Sequence, residues 1–248
     1  MPKVIENFHS IQGEGPYAGT PSYFIRFSGC SLACPYCDTK YAWNKEKGKD
    51  LKEVSAEIVN DIRKNLKTNH IVFTGGEPLL YYSDKEFVKF CHNIPVIPFI
   101  TFETTTITHK EDIIYTNLWE KIVELDGDFL SRSAFIVSPK LEVECYPFVV
   151  DIDNIIRYYS KVKDINLPNV YFKIVYKKEY NEIIAELLGN LPKSFVEKKV
   201  FLMPFTPMPF DVESYRKSCV ETVEFCKKTG VRYSPRIHLD LYGMKKGV

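Results

Sequence analysis

The chain has 248 residues, enough for one large domain or two small ones with a substantial buried core. Its 45% hydrophobic and 26% charged residues are those of an ordinary water-soluble globular protein. Lys and Arg number 33 against 32 Asp and Glu, and the resulting net charge of +1 lacks the basic excess of a nucleic-acid binder. No apolar run approaches the roughly 20 residues that cross a bilayer. The opening MPKVIENFHSIQGEG has no hydrophobic signal region, so the reading is a cytoplasmic protein.

In chain order, the first predicted strand is the apolar run 22–27 (SYFIRF). A helix over 53–66 follows, with Val54, Ile58, Ile62 and Leu66 recurring every four residues and Asp50 and Glu53 as a capping-box-like start. Further strands are expected at 70–74, 96–102, 134–138, 170–176 and 200–203. The stretch 107–133 fits a helix, a lid or a plain insertion. A helix over 179–191 carries Ile183, Ile184, Leu187, Leu188 and Leu191 on one side. The last, 211–229, places Val212, Tyr215, Cys219, Val223 and Cys226 on one stripe, with Gly230 as its C′ residue.

Strand followed by helix, repeated about six times, implies parallel pairing with right-handed crossovers. Six units are too few to close an eight-stranded barrel. The expected fold is therefore an α/β partial (β/α)6 TIM-like barrel with an open parallel sheet, in a single domain 1–248. In such folds chemistry gathers at the carboxyl ends of the strands. Those ends carry GCSLACPYCDT (Gly29 to Thr39), TGGEP (Thr74 to Pro78), Glu103-Thr104-Thr105-Thr106 and Ser138-Pro139-Lys140.

Seven cysteines, an odd number, argue against a disulfide framework. Cys30, Cys34 and Cys37 form C-x3-C-x2-C, whereas Cys91, Cys145, Cys219 and Cys226 are dispersed and read as core. A structural zinc site wants four ligands, and no second Cys pair or His pair follows. An iron–sulfur cube takes one ligand per iron, so three cysteines leave one iron open to a non-protein ligand. The spacing favours that open cluster over zinc.

C-x3-C-x2-C after a first strand, with GGEP after the second, resembles the radical S-adenosylmethionine superfamily. Within it, the run from Phe8 to Thr39, with its QGEG and CDT elements, and the ending Ile237 to Val248 resemble the 7-carboxy-7-deazaguanine synthases. The resemblance implies that Cys30, Cys34 and Cys37 hold a [4Fe–4S] cluster whose fourth iron binds S-adenosylmethionine. It implies cofactor contacts from Tyr36, Cys37, Asp38, Gly75, Gly76, Glu77, Glu103, Ser138, Pro139 and Lys140. Family members often have Asn-Gly or Gln-Gly after the Glu-Thr here, and Thr105-Thr106 departs from that pattern.

The implied reaction converts 6-carboxy-5,6,7,8-tetrahydropterin to 7-carboxy-7-deazaguanine with loss of ammonia, in 7-deazapurine (queuosine or archaeosine) biosynthesis. Gln12, Gly13 and Glu14 match the loop that reads the pterin edge, and Arg26 suits a bidentate pair with the substrate carboxylate. Thr74 and His238 are further substrate-side candidates. The segments 8–20 and 231–248 then belong to the substrate site. Thr39 matches a Mg²⁺ ligand, with substrate oxygens and water completing the octahedron. The implied partners are the small pterin, a one-electron reductant such as flavodoxin or ferredoxin, and a second copy in a homodimer, with neither nucleic acid nor membrane. Two other readings share parts of the pattern: a glycyl-radical activase, which leaves QGEG and Arg26 unexplained, and a zinc-binding interaction domain.

Overall fold

In the computed structural model, residues 1–64, 70–94, 99–105, 131–141 and 169–247 are described. The strands are β1 (Lys3–Ile11), β2 (Pro21–Phe27), β3 (Lys49–Asp50), β4 (His70–Gly75), β5 (Phe99–Thr104), β6 (Ser133–Val137), β7 (Val170–Tyr176), β8 (Val200–Pro204) and β9 (Arg232–Tyr233). They make one sheet in the order β3-β1-β2-β4-β5-β6-β7-β8-β9. From β2 to β9 all neighbours are parallel. The two ends of that order are not paired, so the sheet is open, as the six strand–helix units require.

A phenylalanine belt binds the sheet to its helices. Phe73 pairs with Phe102 in register, and Phe102 with Phe135. Phe27, Phe73, Phe102, Phe135 and Phe172 are each at most 2% exposed. Burying one such side chain contributes about 2–3 kcal/mol. The helix α1 (Leu51–Lys64) presents Leu51, Val54, Ile58 and Ile62 to this layer, and α2 (Lys85–Asn93) presents Phe87, Phe90 and Cys91. Asp84 caps α2 by accepting from the Glu86 and Phe87 amides.

Successive strand side chains point to opposite faces, so the residue after each belt position faces away from the helices. Arg26, between Ile25 and Phe27, and Thr74, Glu103 and Lys173, one place beyond Phe73, Phe102 and Phe172, point that way. All four line a single cavity at the carboxyl ends of the strands.

The remaining helices are α3 (Asn181–Gly189), α4 (Lys193–Lys199), α5 (Val212–Thr229) and α6 (Ile237–Tyr242). Four details differ from the sequence reading. β1 was not foreseen, because Val4 is its one buried residue, Phe8 faces the cavity beside Phe24, and Asn7 and His9 are exposed. Asp50 pairs with Lys3 across β3 and β1, with Oδ1 and Nζ 3.4 Å apart, and α1 begins directly after it. The expected helix 179–191 is shorter, and Pro192 separates it from α4. On α5 the buried line is Tyr215, Thr222 and Cys226, whereas Val212 and Val223 are 48% and 36% exposed.

Thr222 takes the centre of that line because its hydroxyl donates to the Ser218 carbonyl at 2.7 Å, which satisfies it inside the core. Cys219 is half-buried beside it, while Cys91 and Cys226 are core residues as expected. Gly230 ends α5 at φ 74°, its amide donating to the Cys226 carbonyl. Leu66, residues 96–98, Thr106, Cys145, Val248 and nearly all of 107–133 lie outside the described residues.

Candidate active site

The cavity encloses about 330 Å³. The loop after β2, the ends of β4 to β8, the loop after β1, and α6 with its following tail all contribute to it. Cys30, Cys34 and Cys37 line one side, together with Tyr36, Asp38 and Thr39. Leu32 and Cys34 are buried in a small apolar cluster against Cys30, Tyr36 and Cys37.

The chemistry of this loop suits an iron–sulfur cluster. The Leu32 and Thr39 amides donate to the Cys30 and Cys37 sulfurs, each at 3.4 Å, which steadies both side chains and favours their thiolate forms. Burial pushes the Cys30 thiol up to about 11 and raises Cys37 as well, so iron coordination there would have to remove both protons. Among the described residues, no three His, Cys, Asp or Glu side chains converge on the position of one ion. Three soft donors spread around an apolar pocket match a polynuclear cluster better than a mononuclear zinc site.

Gly75 and Gly76 turn the chain from β4 past this loop. A β-carbon on Gly76 would stand 2.0 Å from the Gly29 carbonyl oxygen, and one on Gly75, at φ 140°, would stand 2.1 Å from that of Phe27. Their lack of side chains is thus required by the backbone leading into the cysteine loop. Glu77 does not line the cavity and is wholly buried. Its carboxylate accepts from the Leu79 amide, the Thr104 hydroxyl, and both the amide and hydroxyl of Thr105. Glu77 therefore fixes the end of β5, and Thr105 serves as its partner. Ser138 and Lys140 line the cavity, with Lys140 Nζ donating to Ser138 Oγ at 2.9 Å; Pro139 does not line it.

The opposite wall is built on charge. Lys173 Nζ lies 2.6 Å from Glu14 Oε2 and 2.6 Å from Glu103 Oε2. Gln12 Nε2 donates to Glu103 Oε1 at 3.0 Å. Arg236 Nε donates to Glu14 Oε1 at 2.8 Å, and its other nitrogens reach Asp38 and Thr206. Burial opposes ionisation of Glu14, but the Lys173 and Arg236 charges outweigh it and hold the carboxyl well below its ordinary value. Glu103 goes the other way: burial and the Glu14 charge raise it, although Lys173 opposes them. Asp38 is likewise disfavoured by burial, yet Arg236 holds it low.

Of the substrate-side candidates, Gln12, Gly13, Glu14, Arg26, Thr74 and His238 all line the cavity. Arg26 Nε is 2.7 Å from Glu6 Oε1, which also accepts from the Tyr41 hydroxyl. The guanidinium carbon lies 5.9 Å from the centre of the Tyr41 ring. His238 Nε2 is 3.8 Å from Glu14 Oε1, and burial lowers its basicity. The Thr39 hydroxyl donates to Asp38 Oδ1 at 2.8 Å. Sequence reasoning missed Lys173 and Arg236. A lone lysine inside the apolar run VYFKIVY was the signal for the first, since a buried amine needs an anionic partner.

A family model for the radical SAM superfamily matches residues 24–189. The chain is 31% identical over 247 residues to the 7-carboxy-7-deazaguanine synthase of Hyperthermus butylicus, across 96% of this chain and 91% of that protein. It is 45% identical over 209 residues to the 7-carboxy-7-deazaguanine synthase of Buchnera aphidicola, across 75% and 84%. The crystal structure of QueE from Escherichia coli shares the fold, with a TM-score of 0.60 at 21% identity over 94% of this chain and 93% of that one.

Proposed function

The chain belongs to the radical SAM superfamily and, within it, to the 7-carboxy-7-deazaguanine synthases, and on that premise we propose how its own residues divide the work. The reaction is the conversion of 6-carboxy-5,6,7,8-tetrahydropterin to 7-carboxy-7-deazaguanine with loss of ammonia. One observation carries the assignment of roles: a single cavity holds the three-cysteine loop on one side and the Gln12–Glu14 loop on the other.

Cys30, Cys34 and Cys37 hold the [4Fe–4S] cluster. Tyr36, Asp38, Gly75, Gly76, Ser138 and Lys140 surround S-adenosylmethionine, with Glu103 between cofactor and substrate through its bonds to Gln12 and Lys173, and with Glu77 and Pro139 shaping the backbone behind it. Together, cluster and cofactor supply the one-electron chemistry that starts hydrogen abstraction from the pterin. The protein's part is to bind, orient and exclude water. Gln12 and Glu14 accept hydrogen bonds from the aminopyrimidinone edge of the substrate, beside Thr74 and His238. Arg26, oriented by Glu6, faces the substrate carboxylate. Thr39 would offer a hydroxyl to Mg²⁺, which would supply positive charge near that carboxylate.

The substrate is a small molecule, in keeping with the balanced charge. No helix among the described residues is long and apolar enough to cross a membrane. We place the enzyme in the cytoplasm as a homodimer, reduced by a small electron-transfer protein such as flavodoxin or ferredoxin, in queuosine or archaeosine biosynthesis. Residues 1–248 act as one domain.

The deciding experiment is anaerobic incubation of the reconstituted protein with the carboxypterin, S-adenosylmethionine and reductant, with and without Mg²⁺. Formation of 7-carboxy-7-deazaguanine, faster with Mg²⁺, is the expected outcome. An intact cluster with no deazaguanine product would overturn the reading.

A further inference from the structure

Four residues, through their side chains and the Glu14 backbone amide, close a hydrogen-bonded ring along the substrate wall. Gln12 Nε2 donates to Glu103 Oε1 at 3.0 Å, and Lys173 Nζ bridges Glu103 Oε2 and Glu14 Oε2 at 2.6 Å each. The Glu14 amide then donates back to Gln12 Oε1 at 3.2 Å. The ring joins the loop after β1 to β5 and β7, elements that are 91 and 159 residues apart across its bonds. Its lysine is buried, with a side chain only 6% exposed.

The consequences follow from donor and acceptor counts. Lys173 and the Gln12 amide nitrogen direct protons into the ring. The Gln12 carbonyl accepts from the Glu14 backbone amide, which fixes the side-chain amide's orientation and leaves the oxygen's second lone pair for a ligand. Glu14 is held ionised by Lys173 and Arg236, both Glu103 oxygens accept within the ring, and each carboxyl has lone pairs beyond those its ring partners use. All four residues line the cavity, so the face presented to a ligand is rich in acceptors. Without the lysine, Glu14 would keep Arg236 as its cation but Glu103 would keep only the Gln12 amide, so the buried Glu103 carboxyl would take up a proton or swing away. A protonated carboxyl donates, and the face would lose its single character.

We propose that Lys173 is a positioning residue: it holds Glu14, Glu103 and Gln12 as an acceptor face that selects a 2-amino-4-oxopyrimidine ring over its 2,4-dioxo counterpart. The selection rests on the pterin reading above. A ring carrying an amino group at the 2-position donates to this face, whereas an oxo group there meets a carboxylate lone pair. Sites built to hydrogen-bond a group discriminate strongly against an analogue that cannot return the bond.

The test uses the cluster-loaded wild type, K173M and K173R, all with S-adenosylmethionine bound. Anaerobic titration measures affinity for 6-carboxytetrahydropterin and for the corresponding 2,4-dioxo (lumazine) analogue, and steady-state assays give KM and kcat. K173M is expected to raise the pterin KM by about tenfold or more, with a smaller change in kcat, and to erase most of the preference for the amino ring. K173R, which keeps the cation, recovers part of both.

Amide hydrogen exchange over residues 12–15 in the ligand-free protein supplies a readout independent of substrate. Faster exchange there in K173M is expected. A folded, cluster-loaded K173M with unchanged ring preference overturns the selection, and unchanged exchange overturns the positioning role. A wild type that binds neither heterocycle instead defeats the pterin assignment, with the exchange measurement still deciding whether Lys173 holds the loop.

Discussion

Gly13 lies so close to His238 that a β-carbon on it would stand 2.4 Å from His238 Nδ1 and 3.2 Å from the His238 backbone nitrogen. The Gly13 carbonyl also accepts from the Ile237 amide at 3.1 Å, so the loop after β1 is clasped by the first turn of α6. G13A should therefore destabilise the protein by about 1–3 kcal/mol through overpacking. Adding H238A removes the closer collision and leaves the backbone one, so the double variant should regain part of the lost melting temperature. A double variant no more stable than G13A would place the strain elsewhere.

Arg236 works as a fork with three separate partners. Its Nε serves Glu14 and its terminal nitrogens serve Asp38 and Thr206, which ties the substrate loop to the cysteine loop. Lysine keeps the charge but cannot span three directions. R236K should lower kcat/KM for the pterin by about 10- to 100-fold while the iron content per chain stays the same. Activity within twofold of wild type would show that the fork is dispensable.

The cysteines divide by position. C30S, C34S and C37S should each abolish the brown chromophore near 400 nm after anaerobic reconstitution. C91S, C219S and C226S should retain it. Cys91 and Cys226 sit in the core, so their replacement should instead cost stability, about 1 kcal/mol, read by urea unfolding. Loss of iron in any of this second group, with the fold intact, would contradict the assignment.

His70 gives the fold an acid-sensitive joint. Its Nδ1 lies 2.7 Å from Ser22 Oγ and its Nε2 lies 2.6 Å from Thr101 Oγ1, so the ring spans β2, β4 and β5. Burial lowers its pKa to about 4, whereas in the unfolded chain it is about 6.5. Below the unfolded value the unfolded state binds the extra proton, so this contribution is present above pH 6.5 and lost as pH falls towards 4. It amounts to about 3 kcal/mol. Denaturant unfolding at a series of pH values should show that loss in the wild type, and H70Q should flatten it even if it is less stable at pH 7. An equally steep acid loss in H70Q would assign the effect to other groups.

The six parallel core strands were legible because each is a short run of aromatic and β-branched residues with turn residues at its end. β1 hides among polar side chains: Asn7 and His9 face solvent, and its place is set by partners such as Phe24, whose ring stacks on Phe8 at 5.2 Å between centroids. That pairing is long-range information that no local pattern carries. The site divides in the same way. The cysteine loop, QGEG and TGGEP announce themselves as motifs, whereas Arg236 lies in an ordinary SPRIH sequence and becomes informative only when folding brings it 198 residues back to Asp38. Glu77 was legible as a residue of the motif, but its buried contacts with Thr104 and Thr105 required the geometry of two adjacent strands.

Among the described residues the sheet ends in β3 and β9, each two residues long. β3 pairs with only Lys3 and Val4 of the nine-residue β1, so among the described residues Ile5 to Ile11 have no strand beside them on that side. A long open edge is a template for strand addition unless it is blunted, and this one carries Glu6, Asn7, His9 and Ser10 and a register shift between Val4 and Glu6. Protection of an open-sheet catalyst against edge-to-edge aggregation therefore falls to those polar residues and that irregularity, not to the shortness of its end strands.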